Sequence, residues 1–122
     1  MLTLSANKSK ENVKVNVAYN ILTTTYELPH VIYYYDELSS LNFNAGINNE
    51  VMSLDEDLLM ISFSNGMAVD VGWYPSFEES GEFVMMVIKD QDWDSPLLKL
   101  TAGWDKLDLS QKIKQAIDIS KN

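Results

Sequence analysis

The alternation of apolar and polar residues in the first part of the chain predicts a series of β-strands. Valines 13, 15 and 17 alternate with polar residues, the period-two pattern of a half-buried strand that begins near residue 12. Residues 21–28 and 31–35 are rich in β-branched and aromatic side chains, so both predict strands, and Pro29 separates them.

The dipeptide Asn65-Gly66 is the strongest turn signal in the chain. It joins two strand-like stretches, residues 57–64 and 67–74, and Asn-Gly favours the type I′ turn of a two-residue hairpin. In that register Ile61 pairs with Asp70, and both faces of the hairpin carry apolar residues, which predicts a central position in the sheet. One face would hold Leu58, Met60, Val69, Val71 and Trp73, and the other Leu59, Ile61, Phe63, Asp70 and Tyr74.

The remaining patterns add two strands and two helices. Residues 82–88 are apolar on both faces and predict the adjacent strand, and residues 97–101 predict another. Residues 36–41 predict a short helix with carboxylates in its first turn, and the Asn- and Gly-rich residues 42–50 predict a loop.

The C-terminal segment predicts an amphipathic helix. Asp108 would cap it with Gln111 three residues later, and an apolar stripe follows at helical spacing, formed by Leu109, Ile113, Ala116 and Ile117. The expected fold class is therefore α+β: a meandering antiparallel β-sheet packed by a C-terminal helix, in a single domain of residues 1–122.

Negative charge is concentrated in the middle of the chain. The 122 residues include 18 acidic residues, nine lysines and no arginine, for a formal net charge of −9. Residues 27–88 contain eleven of the carboxylates and no lysine. This concentration of negative charge produces an electrostatic field that repels nucleic acid and anionic membranes. Without arginine, the chain also lacks the bidentate contacts that proteins make to phosphate and guanine. We expect a basic protein as partner, although solubility alone would also explain the acidity.

The sequence offers little catalytic chemistry. It has no nucleophile elbow, P-loop or dinucleotide fingerprint, and His30, the only histidine, has no serine or acid beside it in a nucleophile motif. Residues 90–94 resemble the start of a calcium loop, but Ser95 replaces the required glycine and Thr101 the bidentate glutamate. We expect no enzymatic activity, no metal and no cofactor. The lack of cysteine and of a secretion signal predicts a cytoplasmic location.

Aromatic and acidic residues combine where the second hairpin strand ends. Residues 72–82 hold three aromatics and three carboxylates, and aromatics are enriched at interface hot spots. The alternation of Trp73 with Val69 and Val71 favours a core position for Trp73. An aromatic corner that closes the core is the alternative for each of the other rings. The candidate partner-binding residues are Asp70, Tyr74, Phe77, Glu78, Glu79 and Glu82, with Asp55, Glu56 and Asp57 as a second patch. We expect the hairpin to bring the two patches together.

Several short segments of the second half form a characteristic series. They are Ile-Ser-Phe-Ser-Asn-Gly at 61–66, Asp-Val-Gly-Trp-Tyr-Pro at 70–75, Gly-Glu-Phe at 81–83, the turn at 92–97 and the terminal helix. Over residues 59–117, about half of the chain, the sequence resembles immunity proteins of bacterial polymorphic-toxin and contact-dependent inhibition systems. The shared motifs are structural, and they identify neither a subfamily nor a toxin.

The resemblance implies a function in binding. Such proteins bind a co-produced toxin domain, often a nuclease, and block its active site or substrate groove. A basic, RNA-binding toxin would explain the acidic middle of the chain. The alternatives are an acidic mimic of nucleic acid or another small binding module, and a subunit or enzyme of unrecognised type. A mimic needs carboxylates repeated along one surface at phosphate-like spacing, whereas an immunity protein needs only a local patch.

Overall fold

Within residues 16–121, two antiparallel sheets and a C-terminal helix make up the fold, which confirms the predicted α+β class. The computed structural model describes residues 16–121. The smaller sheet pairs β1 (Asn16–Ile21) with β2 (Thr24–Pro29). The larger sheet follows chain order, with β3 (Val31–Asp36), β4 (Leu59–Phe63), β5 (Met67–Tyr74), β6 (Glu82–Lys89) and β7 (Leu98–Ala102). Between β3 and β4 lie the 3₁₀ turns Leu38–Ser40 and Val51–Ser53 and the one-turn helix α1 (Ile47–Glu50), and α2 (Lys106–Ser120) follows β7.

One face of the five-stranded sheet forms the core. Alternate residues of β4, β5 and β6 are buried there together with the predicted stripe of α2, whose members Leu109, Ile113, Ala116 and Ile117 are at most 1% exposed. The β1–β2 hairpin contributes Ile21, Leu22, Tyr26 and Leu28 to this core, and the rings of Tyr19 on β1 and Tyr34 on β3 lie 4.5 Å apart. Trp73 is buried in this core as predicted, and its ring meets the edge of Phe83. The meander packed by a C-terminal helix is thus confirmed.

The register predicted for the central hairpin is wrong by one residue. The loop has three residues rather than two, and Ile61 pairs with Val69 instead of Asp70. The amide of Gly66 donates to the carbonyl of Phe63 over 3.1 Å, and Gly66 has a φ of 88°. This left-handed third residue is typical of the three-residue hairpin loop with a bulge, which Asn-Gly also suits. The core face of β4 therefore carries Leu59, Ile61 and Phe63, opposite Val69 and Val71 of β5.

The strand predicted at residues 21–28 is also wrong, because it contains a turn. Leu22 and Thr23 connect β1 to β2 with φ values of 51° and 69°, a conformation that sequence statistics reserve for Gly and Asn. The Leu22 side chain is buried in the core and its amide donates to the Ser39 hydroxyl over 3.0 Å, which offsets the conformational cost. Valines 13 and 15 lie outside the described residues.

Local helix boundaries differ from the predictions in three places. The N-cap of α2 is Asp105, whose carboxylate accepts hydrogen bonds from the amides of Leu107 and Asp108, so the prediction of Asp108 as the cap is wrong. Asp108 lies in the first turn and pairs with Lys112. The segment predicted as a loop at residues 42–50 ends in the single turn of α1, and the helix predicted at 36–41 is reduced to one 3₁₀ turn.

Candidate functional site

The second face of the five-stranded sheet is left uncovered by α2 and by the β1–β2 hairpin. None of its residues belongs to the core cluster. By the strand register this surface, which we call the open face, consists of alternate residues on the five strands. They are Tyr33, Tyr35, Met60, Ser62, Ala68, Asp70, Gly72, Tyr74, Glu82, Val84, Met86, Ile88, Lys99 and Thr101, with Ile32 at the β3 bulge.

Asp70 lies near the middle of the open face, on the central strand. Its neighbours across the ladder are Met60 on β4 and Met86 on β6. The residue is 6% exposed, and within residues 16–121 no side chain or amide donates a hydrogen bond to its carboxylate. Burial, and secondarily the charge of Asp57, raises the pKa of Asp70 to about 6. An ionised carboxylate here is therefore destabilised by its surroundings.

The acidic residues 55–57 are fixed against the same end of the sheet. The amide of Trp73 donates to the Asp55 carbonyl over 2.9 Å, and the amide of Phe77 donates to the Leu54 carbonyl over 2.8 Å. Gly72 lies beneath Glu56, since a Cβ atom there would meet the Glu56 backbone. The two candidate patches are therefore joined, as predicted, although the register used in the prediction was shifted by one residue.

Two tyrosines border this group of carboxylates. Burial raises the pKa of Tyr74, and the charges of Asp70 and of residues 55–57 raise it further. The pKa of Tyr35 is also raised, by desolvation and then by the charges of Glu37, Asp55 and Asp57. We call the set formed by Tyr35, Tyr74, Asp70 and the three acidic residues 55–57 the acidic cluster. It combines fixed negative charge with aromatic surface, as at interface hot spots.

The remaining candidate residues lie on the loop that leaves β5 and at the start of β6. Phe77 is 46% exposed and adopts a φ of 62°. Glu78 and Glu79 are exposed, and the Glu78 carbonyl accepts from the Trp73 indole over 2.7 Å. Neither glutamate is among the charges that raise the Tyr74 pKa. Glu82 is opposite Tyr74 on the open face. Asp70, Tyr74 and Glu82 therefore share one face with residues 55–57, while Glu78 and Glu79 occupy the adjoining loop.

The apolar half of the open face was not predicted from the sequence. A groove of about 410 Å³ adjoins Asp70 toward the Asn65-Gly66 turn, and Ile32, Ala68, Ile88 and Trp93 are among the residues that line it. Ile32 and Trp93 are 70% and 44% exposed. The period-two pattern of residues 31–35 could have placed Tyr33 and Tyr35 on one face, but the shifted hairpin register put Asp70 on the same face as Leu59, Ile61 and Phe63 of β4.

His30 is exposed at the turn between β2 and β3 with a φ of 54°, and its carbonyl accepts from the Ser64 amide. Across residues 16–121, no three histidine or carboxylate side chains are grouped closely enough to hold a metal ion. In the same part of the chain, no helix has the length and apolar character needed to cross a membrane.

Comparisons with protein-family models, with curated proteins and with solved structures give no match to this chain.

Proposed function

We propose that this chain is an immunity protein, which binds a cognate bacterial toxin domain in the cytoplasm and neutralises it without catalysis. The observation that carries the proposal is the open face, where tyrosine rings and an apolar groove adjoin fixed carboxylates. Apolar surface with a charged border is the composition of a protein–protein interface.

The partner that suits this surface is a basic domain, and a nuclease is the leading class. An enzyme that binds RNA or DNA presents lysines and arginines in its substrate groove, and these would meet the carboxylates of the acidic cluster. Occupation of that groove by the open face would exclude the nucleic acid. Inhibition would then follow from binding alone.

The distribution of carboxylates favours a local patch over a mimic of nucleic acid. On the open face, Glu82 and residues 55–57 lie toward one end and Asp70 lies near the middle, whereas the groove at the other end is lined mainly by apolar residues, with Asp90 as its one carboxylate. The β7 edge carries Lys99 on the same face. A mimic of a nucleic-acid strand would need negative charge along the whole surface.

Co-expression with candidate toxins tests this function. Cells that express individual toxin domains, beginning with any encoded beside this gene, should be protected by this chain against one toxin and not against unrelated ones. The purified pair should form a complex that is stable during size-exclusion chromatography. Hydrolysis of an ester, phosphoester or glycoside by the chain alone, abolished by one carboxylate substitution, would contradict the proposal.

A further inference from the structure

The groove and the Asp70 carboxylate lie next to each other along β5. Ala68 forms part of the groove floor, and Asp70 is the next residue of β5 on the same face. Two residues along a strand span about 7 Å. An apolar position and an anionic position are therefore held at a fixed short spacing by the backbone of the central strand.

Within the described residues, the Asp70 carboxylate receives no hydrogen bond. It is more than nine-tenths buried, and no donor within residues 16–121 reaches it. In the same range, no fully enclosed side-chain nitrogen or oxygen lacks a hydrogen-bond partner, so the Asp70 oxygens retain contact with solvent. A cation that entered from the open face would supply the missing charge-assisted hydrogen bond in a partly desolvated site.

We infer that the open face binds a partner segment presenting an apolar side chain and a lysine or arginine about 7 Å apart. The apolar side chain would occupy the groove between Ile32 and Trp93, and the cation would bind Asp70. In an extended segment these would be residues i and i+2. This inference rests on the proposed function and specifies the chemistry of its partner.

A second copy of this chain does not suit the site as well as a basic segment. Face-to-face pairing would bring Asp70 and Asp57 of two molecules together, and like charges at a desolvated interface oppose association. The chain also lacks arginine, and the one lysine on the open face within residues 16–121, Lys99, lies on β7, two strands away from Asp70.

Protonation of Asp70 makes this binding pH-dependent. Because burial raises its pKa to about 6, the carboxylate is mostly protonated at pH 5 and mostly ionised at pH 7.5. The groups that surround it are Tyr35 from β3, residues 55–57, Tyr74 from β5, Glu82 from β6 and Lys99 from β7. A bound cation favours the ionised form, so affinity should fall about four- to fivefold from pH 7.5 to pH 5, because the protonated form keeps only the weaker, charge-independent part of the binding.

A short synthetic peptide tests the inference without the toxin. The probe is acetyl-Gly-Leu-Gly-Arg-Gly-amide, and the controls replace its arginine with citrulline or its leucine with alanine. In ¹H–¹⁵N spectra the arginine peptide should shift the Trp93 indole signal and amides of the open face, while the buried Trp73 indole stays in place. Citrulline should weaken binding about five- to tenfold.

Matched protein variants assign the cation to Asp70. Asp70→Asn should lose the same five- to tenfold affinity and the pH dependence. Glu27→Gln, which removes one charge on the exposed edge of β2, should bind like the wild type. Equal affinity for the arginine and citrulline peptides would overturn the inference, and this comparison needs no variant to fold.

Three further outcomes separate the inference from its alternatives. Concentration-dependent dimerisation that Asp70→Asn alters would assign the face to a second copy. Tighter peptide binding after replacement of Lys8, Lys10 and Lys14 by glutamine would mean that the chain's own lysines compete for the open face. Toxin protection that Asp70→Asn leaves intact would overturn this inference alone, whereas peptide binding without protection from any toxin would overturn the proposed function alone.

Discussion

Gly72 lies directly beneath the backbone of Glu56, in space that a side chain at position 72 would fill. On the next residue, the Trp73 amide donates to the Asp55 carbonyl over 2.9 Å. The glycine and this hydrogen bond hold the acidic residues 55–57 against the end of β5. The position of three carboxylates therefore depends on one missing side chain in the sheet.

We expect Gly72→Ala to destabilise the protein by about 1–3 kcal/mol, since the new Cβ would overlap backbone atoms that cannot rotate away. Urea unfolding measures the loss, and hydrogen exchange at the Trp73 amide should become faster. Gly103→Ala is the control, because no atom lies within 4 Å of a Cβ at that position. Equal stability of the two variants would contradict the packing described for Glu56.

Gly66→Val should lower stability by about 2 kcal/mol, because a β-branched residue tolerates the φ of 88° poorly. The new side chain would also meet the Asp90 carboxylate. The melting temperature measures the effect, with Gly103→Val as the control in open space. A melting temperature equal to that of the wild type would refute the left-handed turn.

Asp105→Ala should cost about 1 kcal/mol of stability, since the Asp105 carboxylate accepts from two amides at the start of α2. Asp108→Ala should cost less, roughly 0.3–0.5 kcal/mol, because it removes only a partly exposed ion pair with Lys112. Chemical unfolding of both variants compares the two. A larger loss at position 108 would favour the cap predicted from the sequence.

Asp70 should make stability decrease as pH rises between its two pKa values. Its pKa is about 6 in the folded protein and 3.8 ordinarily, so in this interval the folded state holds more protons than the unfolded state. Stability is therefore lost from about pH 4 to pH 6 and then levels off.

Asp70→Asn removes this ionisation, so the variant should exceed the wild type by up to about 3 kcal/mol above pH 7 and match it near pH 4. Urea unfolding across this pH range measures the difference. Glu27→Gln controls for the change in net charge and should follow the wild type. A constant difference between Asp70→Asn and wild type at all pH values would exclude titration of Asp70 as the cause.

Once the partner is known, the loop carboxylates and the aromatics should affect different rate constants. Lysine at both Glu78 and Glu79 should slow association and weaken its salt dependence, because these exposed charges act at long range. Alanine at Tyr74 or Phe77 should instead speed dissociation, on the order of 1–3 kcal/mol.

Surface-binding kinetics at two ionic strengths separate these effects, with Glu27→Lys as the matched charge reversal on β2. Wild-type kinetics for every variant of the loop and of the two aromatics would place the interface elsewhere.

Periodicity in the sequence was sufficient to predict the elements that are long and strongly patterned. The strands at residues 31–35, 67–74 and 82–88 and the buried stripe of α2 are all present, and the meandering order follows the tendency of consecutive strands to pair with each other. The position of Trp73 in the core was also predictable, because alternation fixes which residues of β5 share a face. The approach of the two acidic patches was predictable because the hairpin brings residues 55–57 to the end of β5.

The turns could not be derived in the same way. Asn-Gly suits both a two-residue and a three-residue hairpin loop, and a shift of one residue moves every side chain of one strand to the other face. Leu22 and Thr23 adopt left-handed conformations that their own preferences oppose, and the burial of the Leu22 side chain compensates. Such compensation involves residues distant in sequence, and no local pattern contains it.

The sequence by itself determined the fold class, the acidity of the central segment and the set of residues from which a binding surface could be formed. Only the tertiary structure decided that Asp70 lies on the open face beside an apolar groove, with residues 55–57 fixed over Gly72. The physical reason is that periodicity is a property of each strand alone. Register, burial and the proximity of charges depend on how the strands pair, and that pairing is set by turns and core packing across the whole sheet.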